Sequence, residues 1–182
     1  MTQITPVDNL KRLWQVEDLI SAEELTDLLS VDWLSVDWKR GPGQEGWKRR
    51  LLDWDRPEVI RVNQHIQKQL PKINAALGTN YTNFGGQFWL DEPGFDVAIH
   101  TDGELPSAMQ MYWVAPDETY GTGFYFYRST NTLQHQFMSR PNTGYILLNH
   151  VNEDGSQPLF WHGMFNTVPE GAYRLSSYWY LS

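Results

Sequence analysis

From Tyr81 to the C-terminus the chain is a succession of short apolar and aromatic runs separated by turn residues, and this rhythm limits the possible folds more than any other feature. Residues 84–90, 97–101, 109–115, 123–127, 145–148, 159–165 and 173–181 have the β-branched and aromatic content of strands. The turns between them are supplied by Asp91-Glu92-Pro93-Gly94, Asp117, Asn142-Thr143-Gly144, Asp154-Gly155 and Pro169-Glu170-Gly171. Seven or eight short strands at this spacing imply a sandwich, jelly roll or barrel. No internal repeat or low-complexity stretch interrupts them.

The first eighty residues follow a different period. Ser21 and Glu24 are spaced as a capping box, and Leu25, Leu28 and Leu29 follow at helical intervals, so a short helix is expected over 22–30. A second helix should begin after Asp55 with Pro57 in its first turn, carry an apolar stripe of Val59, Ile60, Ile66, Leu70, Ile73 and Leu77, and end at Gly78. Pro71 inside that stripe predicts a kink or break. Gly41-Pro42-Gly43-Gln44-Glu45-Gly46 marks a loop between the helices. The expected organisation is one domain over 1–182, with a helical N-terminal support over 1–80 and a mainly β core over 81–182.

A net charge of −8 argues against nonspecific binding to nucleic acid or an anionic membrane. Lys39, Arg40, Lys48, Arg49 and Arg50 nevertheless place five of the fourteen basic residues within twelve positions. This cluster is read as a solvated charged loop in preference to a binding patch. With no cysteine, any metal must be held by His, Asp or Glu. The first thirty residues lack a signal-peptide pattern and no apolar run approaches a membrane span, so a cytoplasmic protein is expected.

Of the five histidines, only His100 has an acidic residue two positions on. With 22 acidic residues in 182, roughly half of one such pair would arise by chance, so His100-Thr101-Asp102 is weak by itself. Residues i and i+2 of a strand share a face, however, which would let imidazole and carboxylate converge on one ion. His162, in the strand-like Phe160-Trp161-His162-Gly163-Met164, is the preferred third ligand, and the adjacent glycine leaves space. His150 competes from a polar stretch, His65 reads as a helix-surface histidine, and His135 lies in a polar connection without a nameable partner. Two histidines and one carboxylate suit non-haem iron(II). A zinc hydrolase site uses similar residue types. Arg174, twelve residues after His162 in a mostly apolar final segment, calls for an anionic partner, and a bidentate contact to a carboxylate is its natural role. Ser176 shares its face and could add a hydroxyl donor.

The series His100, Asp102, His162 and Arg174 resembles the iron(II)- and 2-oxoglutarate-dependent dioxygenases, in particular their prolyl hydroxylase-like branch. The resemblance extends to Gln110-Met111-Tyr112, to Gly121-Thr122-Gly123-Phe124 and to the ending Arg174-Leu175-Ser176-Ser177-Tyr178-Trp179-Tyr180. More loosely, residues 16–25 resemble that family's opening strand and helix. The resemblance implies a double-stranded β-helix of the cupin-like, jelly-roll kind in which His100, Asp102 and His162 bind iron(II). Arg174, helped by Tyr112 or Ser176, would bind the distal carboxylate of 2-oxoglutarate. It further implies hydroxylation with O2 as oxidant and succinate as coproduct, on a peptide or protein substrate or a small molecule, with a prolyl residue as first guess. The segment Trp89-Leu90-Asp91-Glu92-Pro93-Gly94-Phe95 departs from that family's tyrosine-containing pattern, and Trp89 could be core or pocket wall. The loop over 41–46 and the basic residues after it would suit a lid over an extended substrate. Two other classes stay open at this stage: a noncatalytic β-sandwich binding module, and a zinc hydrolase on a jelly roll.

Overall fold

The computed structural model describes residues 2–7, 12–40, 46–52, 55–102, 107–125, 128, 130–148 and 161–182. In chain order the elements are β1 (Gln3–Pro6), β2 (Leu13–Glu17), α1 (Ala22–Leu29), β3 (Arg49–Leu52), α2 (Pro57–Leu77), β4 (Phe84–Asp91), β5 (Ser107–Val114), β6 (Thr122–Tyr125), β7 (Leu133–Phe137), β8 (Thr143–Leu148), β9 (Trp161–Met164) and β10 (Arg174–Leu181). Seven strands form one sheet in the order β1-β2-β8-β5-β10-β4-β3, and three form a second in the order β7-β6-β9. All pairings are antiparallel. This is the mainly β, jelly-roll arrangement of a double-stranded β-helix.

The large sheet is buried on both faces, and the two-residue period of its strands divides the labour. On one face Phe88 and Leu90 of β4, Met109, Met111 and Trp113 of β5, Ile146 and Leu148 of β8, and Leu175, Trp179 and Leu181 of β10 meet the apolar side of the helices. Phe88 stacks on Trp33 and Trp113 and meets Trp179 edge-on. On the other face Tyr112, Tyr145 and Leu147 pack against Phe124 and Phe137 of the small sheet. The alternate residues of β4 and β10 on that same face are Trp89, Asp91, Arg174, Ser176 and Tyr178, and they are largely polar.

The helices behave as their sequence suggests, with two exceptions. The capping box is complete: the Glu24 N–H donates to Ser21 Oγ at 3.2 Å and the Ser21 N–H to Glu24 Oε2 at 2.9 Å. Gly78 closes α2 in the left-handed conformation, at φ 71°. Pro71, however, does not break α2, which runs unbroken from Pro57 to Leu77. Pro71 and Gln67, whose carbonyl loses its helical donor, both lie on the solvent side. Ile60 is exposed, and Val62 takes the core position expected of it.

Among the strands, β1, β3 and β7 were not foreseen, β2 was suggested only by the loose resemblance of residues 16–25 to an opening strand, and 97–101 is not a strand. His100 and His162 exchange main-chain bonds of 2.8 Å, but the Met164 N–H donates to Val97 O at 3.0 Å. Two residues therefore lie between contacts on one side and one on the other, and this mismatch interrupts the ladder. Among the described residues, the first eighty supply three strands of the large sheet as well as α1 and α2. Among the described residues no helix is long and apolar enough to cross a membrane.

Candidate active site

The irregular segment before β5 and the middle of β9 bring three ligating side chains together. His100, Asp102 and His162 each offer a donor atom, and these atoms all lie within 4.8 Å of one another. Asp102 Oδ1 is 3.7 Å from His100 Nε2 and 3.4 Å from His162 Nε2. Gly163 makes this approach possible, because a Cβ there would stand 2.8 Å from Val97 O and 3.0 Å from Ile99 N. The rings are oriented from outside. His100 Nδ1 lies 2.9 Å from Ala98 O, which can only accept, so Nδ1 carries the proton and Nε2 keeps its lone pair for a metal. His162, buried, stacks on Phe124 at 5.2 Å.

Electrostatics favour a carboxylate ready to ligate. Burial opposes ionisation of Asp102, but the two facing imidazoles of His100 and His162 outweigh it and hold its carboxyl well below the ordinary range. The same contact with Asp102 raises His100, against the effect of burial. Tyr178 donates to the other carboxylate oxygen, Oδ2, at 3.2 Å. Burial, reinforced by the Asp102 charge, pushes that phenol far above its ordinary value, so it remains a donor. Two imidazoles and one carboxylate converging in this way fit a divalent first-row metal.

The triad opens into a cavity of about 230 Å³. Gln110, Thr122, Tyr145 and Tyr178 line it along with Arg49, Trp89 and Arg174. Tyr145 donates to Gln110 Oε1 at 2.8 Å, and Gln110 Nε2 donates to Ser176 Oγ at 3.3 Å. Arg174 is 1% exposed; its Nε and Nη2 lie 2.8 and 2.7 Å from Asp91 Oδ2, and Nη1 donates to Tyr120 O at 3.0 Å. These contacts engage three of the five guanidinium N–H groups. A second, more open cavity of about 620 Å³ shares Arg49, Trp89, Val97 and His100 with the first and extends past Trp47 and Phe95.

The sequence-derived candidates are therefore distributed unevenly. His100, Asp102, His162 and Arg174 share one cavity. Tyr112 is buried behind it with its hydroxyl 2.6 Å from Thr122 Oγ1, and Ser176 reaches it only through Gln110. Trp89 is a wall, stacked on Tyr178 at 4.9 Å. His65 sits on α2 with Nδ1 3.4 Å from Glu24, and His135 lies in β7 against Phe137 instead of in a connection. His150 and residues 41–45 fall outside the described residues.

Sequence reasoning missed Arg49, Asp91, Tyr145 and Tyr178. Arg49 is not in a solvated loop but in β3, buried, paired with Asp91, and held between Trp89 at 3.9 Å and Phe95 at 4.2 Å. Arg40 and Arg50 both pair with Glu92. The available signal was parity. Once Arg174 is placed inward, Ser176 and Tyr178 follow, and the antiparallel register sets Asp91 beside Arg174.

A cupin-like double-stranded β-helix carrying a two-histidine, one-carboxylate cluster is thus the class that fold and site define. No protein-family model and no curated protein sequence matches the chain. Solved structures do. The viral collagen prolyl hydroxylase of Paramecium bursaria Chlorella virus-1, solved with 2-oxoglutarate, aligns with a TM-score of 0.63 at 18% identity, over 97% of this chain and 99% of that one. A Pseudomonas putida prolyl-4-hydroxylase gives 0.65 at 14% identity, over 93% and 92%. HygX from Streptomyces hygroscopicus, with nickel, 2-oxoglutarate and hygromycin B bound, gives 0.60 at 12%, over 93% and 82%. The fold is that of the 2-oxoglutarate- and iron(II)-dependent oxygenases, prolyl hydroxylases among them.

Proposed function

We propose that the protein is an iron(II)- and 2-oxoglutarate-dependent oxygenase that hydroxylates a C–H bond of its substrate, releasing succinate and CO2. The observation that carries this reading is the placing of His100, Asp102, His162 and the guanidinium of Arg174 in one cavity. Iron(II) held by the triad supplies the redox chemistry, with 2-oxoglutarate and O2 as its partners. The side chains do the remainder. His100, Asp102 and His162 would hold the ion, and three protein donors would leave it positions for further ligands. Arg174 offers two parallel N–H groups to the distal carboxylate of the keto acid, the bidentate geometry that guanidinium favours. The cavity, at about 230 Å³, lies below the 300–1,000 Å³ of drug-sized pockets and suits a small dicarboxylate. Trp89 and Tyr178 wall it and limit access of water.

The adjoining cavity of about 620 Å³ has room for part of a larger molecule beside His100. A prolyl residue in a peptide is the first substrate to test, because prolyl hydroxylases share the fold. A small molecule is the alternative, in keeping with the hygromycin-bound neighbour.

The test is anaerobic addition of iron(II) and 2-oxoglutarate, watched for a metal-to-ligand charge-transfer absorption, followed by O2 and measurement of succinate. Folded protein that gives neither absorption nor succinate would overturn the proposal. Arg174→Ala should weaken 2-oxoglutarate binding and leave metal binding in place; unchanged cosubstrate affinity would remove Arg174 from that role. Peptides and small molecules can then be screened for the mass gain of one oxygen.

A further inference from the structure

Three buried side chains at one register of adjacent strands form a charged ladder. Arg49 on β3 and Arg174 on β10 both stand opposite Asp91 on β4. Asp91, 0% exposed, accepts from both: Oδ1 lies 2.5 Å from Arg49 Nε, Oδ2 3.1 Å from Arg49 Nη2, and Oδ2 also takes Nε and Nη2 of Arg174. Two cations thus share one anion beneath the cavity. An isolated Arg174–Asp91 pair would be neutral, and Arg174 would then present a carboxylate ligand with little more than a dipole. Aromatic rings on either side fix the second arginine, so its charge cannot swing away into solvent. Burying an ion pair already costs free energy, and burying a surplus charge costs more unless an anion arrives to balance it.

We propose that Arg49 is a positioning residue for the keto-acid site: by sharing Asp91 it leaves the Arg49–Asp91–Arg174 ladder with one net positive charge, and this charge lets Arg174 hold the distal carboxylate. The inference rests on the oxygenase reading above and adds the residue that tunes it. Arg49 also stands at the junction of the two cavities, so its charge acts where cosubstrate and substrate meet.

The experiment is calorimetric titration of 2-oxoglutarate into the full chain loaded with Mn(II) under anaerobic conditions, where no turnover occurs. Arg49→Met should weaken 2-oxoglutarate binding at least tenfold without weakening Mn(II). The double variant Arg49→Met with Asp91→Asn restores one net charge and should return affinity to within threefold of the wild type. A role for Arg49 confined to holding β3 against β4 predicts no such rescue. Should Arg49→Met alone fail to fold, Asp91→Asn is compared with the double variant, and it should bind at least tenfold more tightly; equal affinities would overturn the proposal. Wild-type protein that binds no 2-oxoglutarate would overturn the oxygenase reading and this inference together. Wild-type binding that Arg49→Met retains within twofold would overturn the inference alone.

Discussion

Tyr178→Phe isolates the contact that fixes Asp102. In the wild type Asp102 Oδ1 faces the two imidazoles while Oδ2 accepts from the Tyr178 hydroxyl at 3.2 Å. Removing that hydroxyl frees the carboxylate to rotate and leaves part of its charge unsolvated. Hydrogen bonds to charged groups contribute about 1.5–3 kcal/mol. The 3.2 Å separation exceeds the usual O–H···O⁻ length of about 2.5–2.7 Å, so the lower end applies. A loss of about 1.5 kcal/mol corresponds to about a tenfold weaker metal affinity, the low end of what outer-shell substitutions produce. Phenylalanine keeps the ring and its stacking on Trp89, at 4.9 Å and 14°, so cavity shape is preserved. Titration with Mn(II) or Zn(II) at neutral pH, beside circular dichroism to confirm the fold, reads the effect directly. Metal affinity within twofold of the wild type would show that Tyr178 does not hold the ligand.

Other outcomes follow from the same geometry. Phe124→Ala removes a fully buried ring that touches Phe137, Tyr145 and His162, and should cost about 3–5 kcal/mol in denaturant unfolding; a loss below about 1 kcal/mol would contradict the packing. Gly163→Ala puts a methyl 2.8 Å from Val97 O and should push the His100 segment away from β9, so metal affinity should fall further than global stability; equal losses in the two titrations would refute this. The raised pKa of His100 has opposite consequences for apoprotein and metal complex. The imidazolium–carboxylate pair stabilises the metal-free fold below the free value of 6.5, and that contribution disappears as pH rises through the raised value. Metal needs the neutral ring, so below the raised pKa its affinity should drop about tenfold per pH unit for the one displaced proton, and a pH-independent titration would exclude the coupling.

The sequence carried the core of the site and the class of fold, because both are written in local chemistry. Alternating apolar runs announce strands, and Ser21 with Glu24 announces the start of a helix. What remained hidden depends on partners far away in sequence. Arg49-Arg50-Leu51-Leu52 looks like a charged loop until Asp91 and Glu92 are set opposite it on β4. Tyr112 and Tyr145 are both buried aromatics on inward-facing positions, and only the register decides that Tyr145 borders the cavity while Tyr112 meets Thr122. The segment 97–101 has the composition of a strand, but its mismatch with β9 cannot be seen without the pairing partner. The break that Pro71 suggested does not occur, because the exposed side of α2 leaves the Gln67 carbonyl open to water.

The alternation along β10 has one more consequence. Arg174 and Tyr178 line the cavity, Ser176 between them supports it through Gln110, and Leu175, Ser177, Trp179 and Leu181 address the helix side, so one eight-residue strand is both a cavity wall and a structural beam. Substitutions at the even-numbered positions can retune chemistry while leaving the foundation intact. Displacing the strand by a single residue would instead exchange the two inventories at once, putting leucine where the Arg174 guanidinium borders the cavity and an arginine into the helix interface. Divergence of activity on this scaffold is therefore open through point replacement and closed through insertion or deletion within that strand.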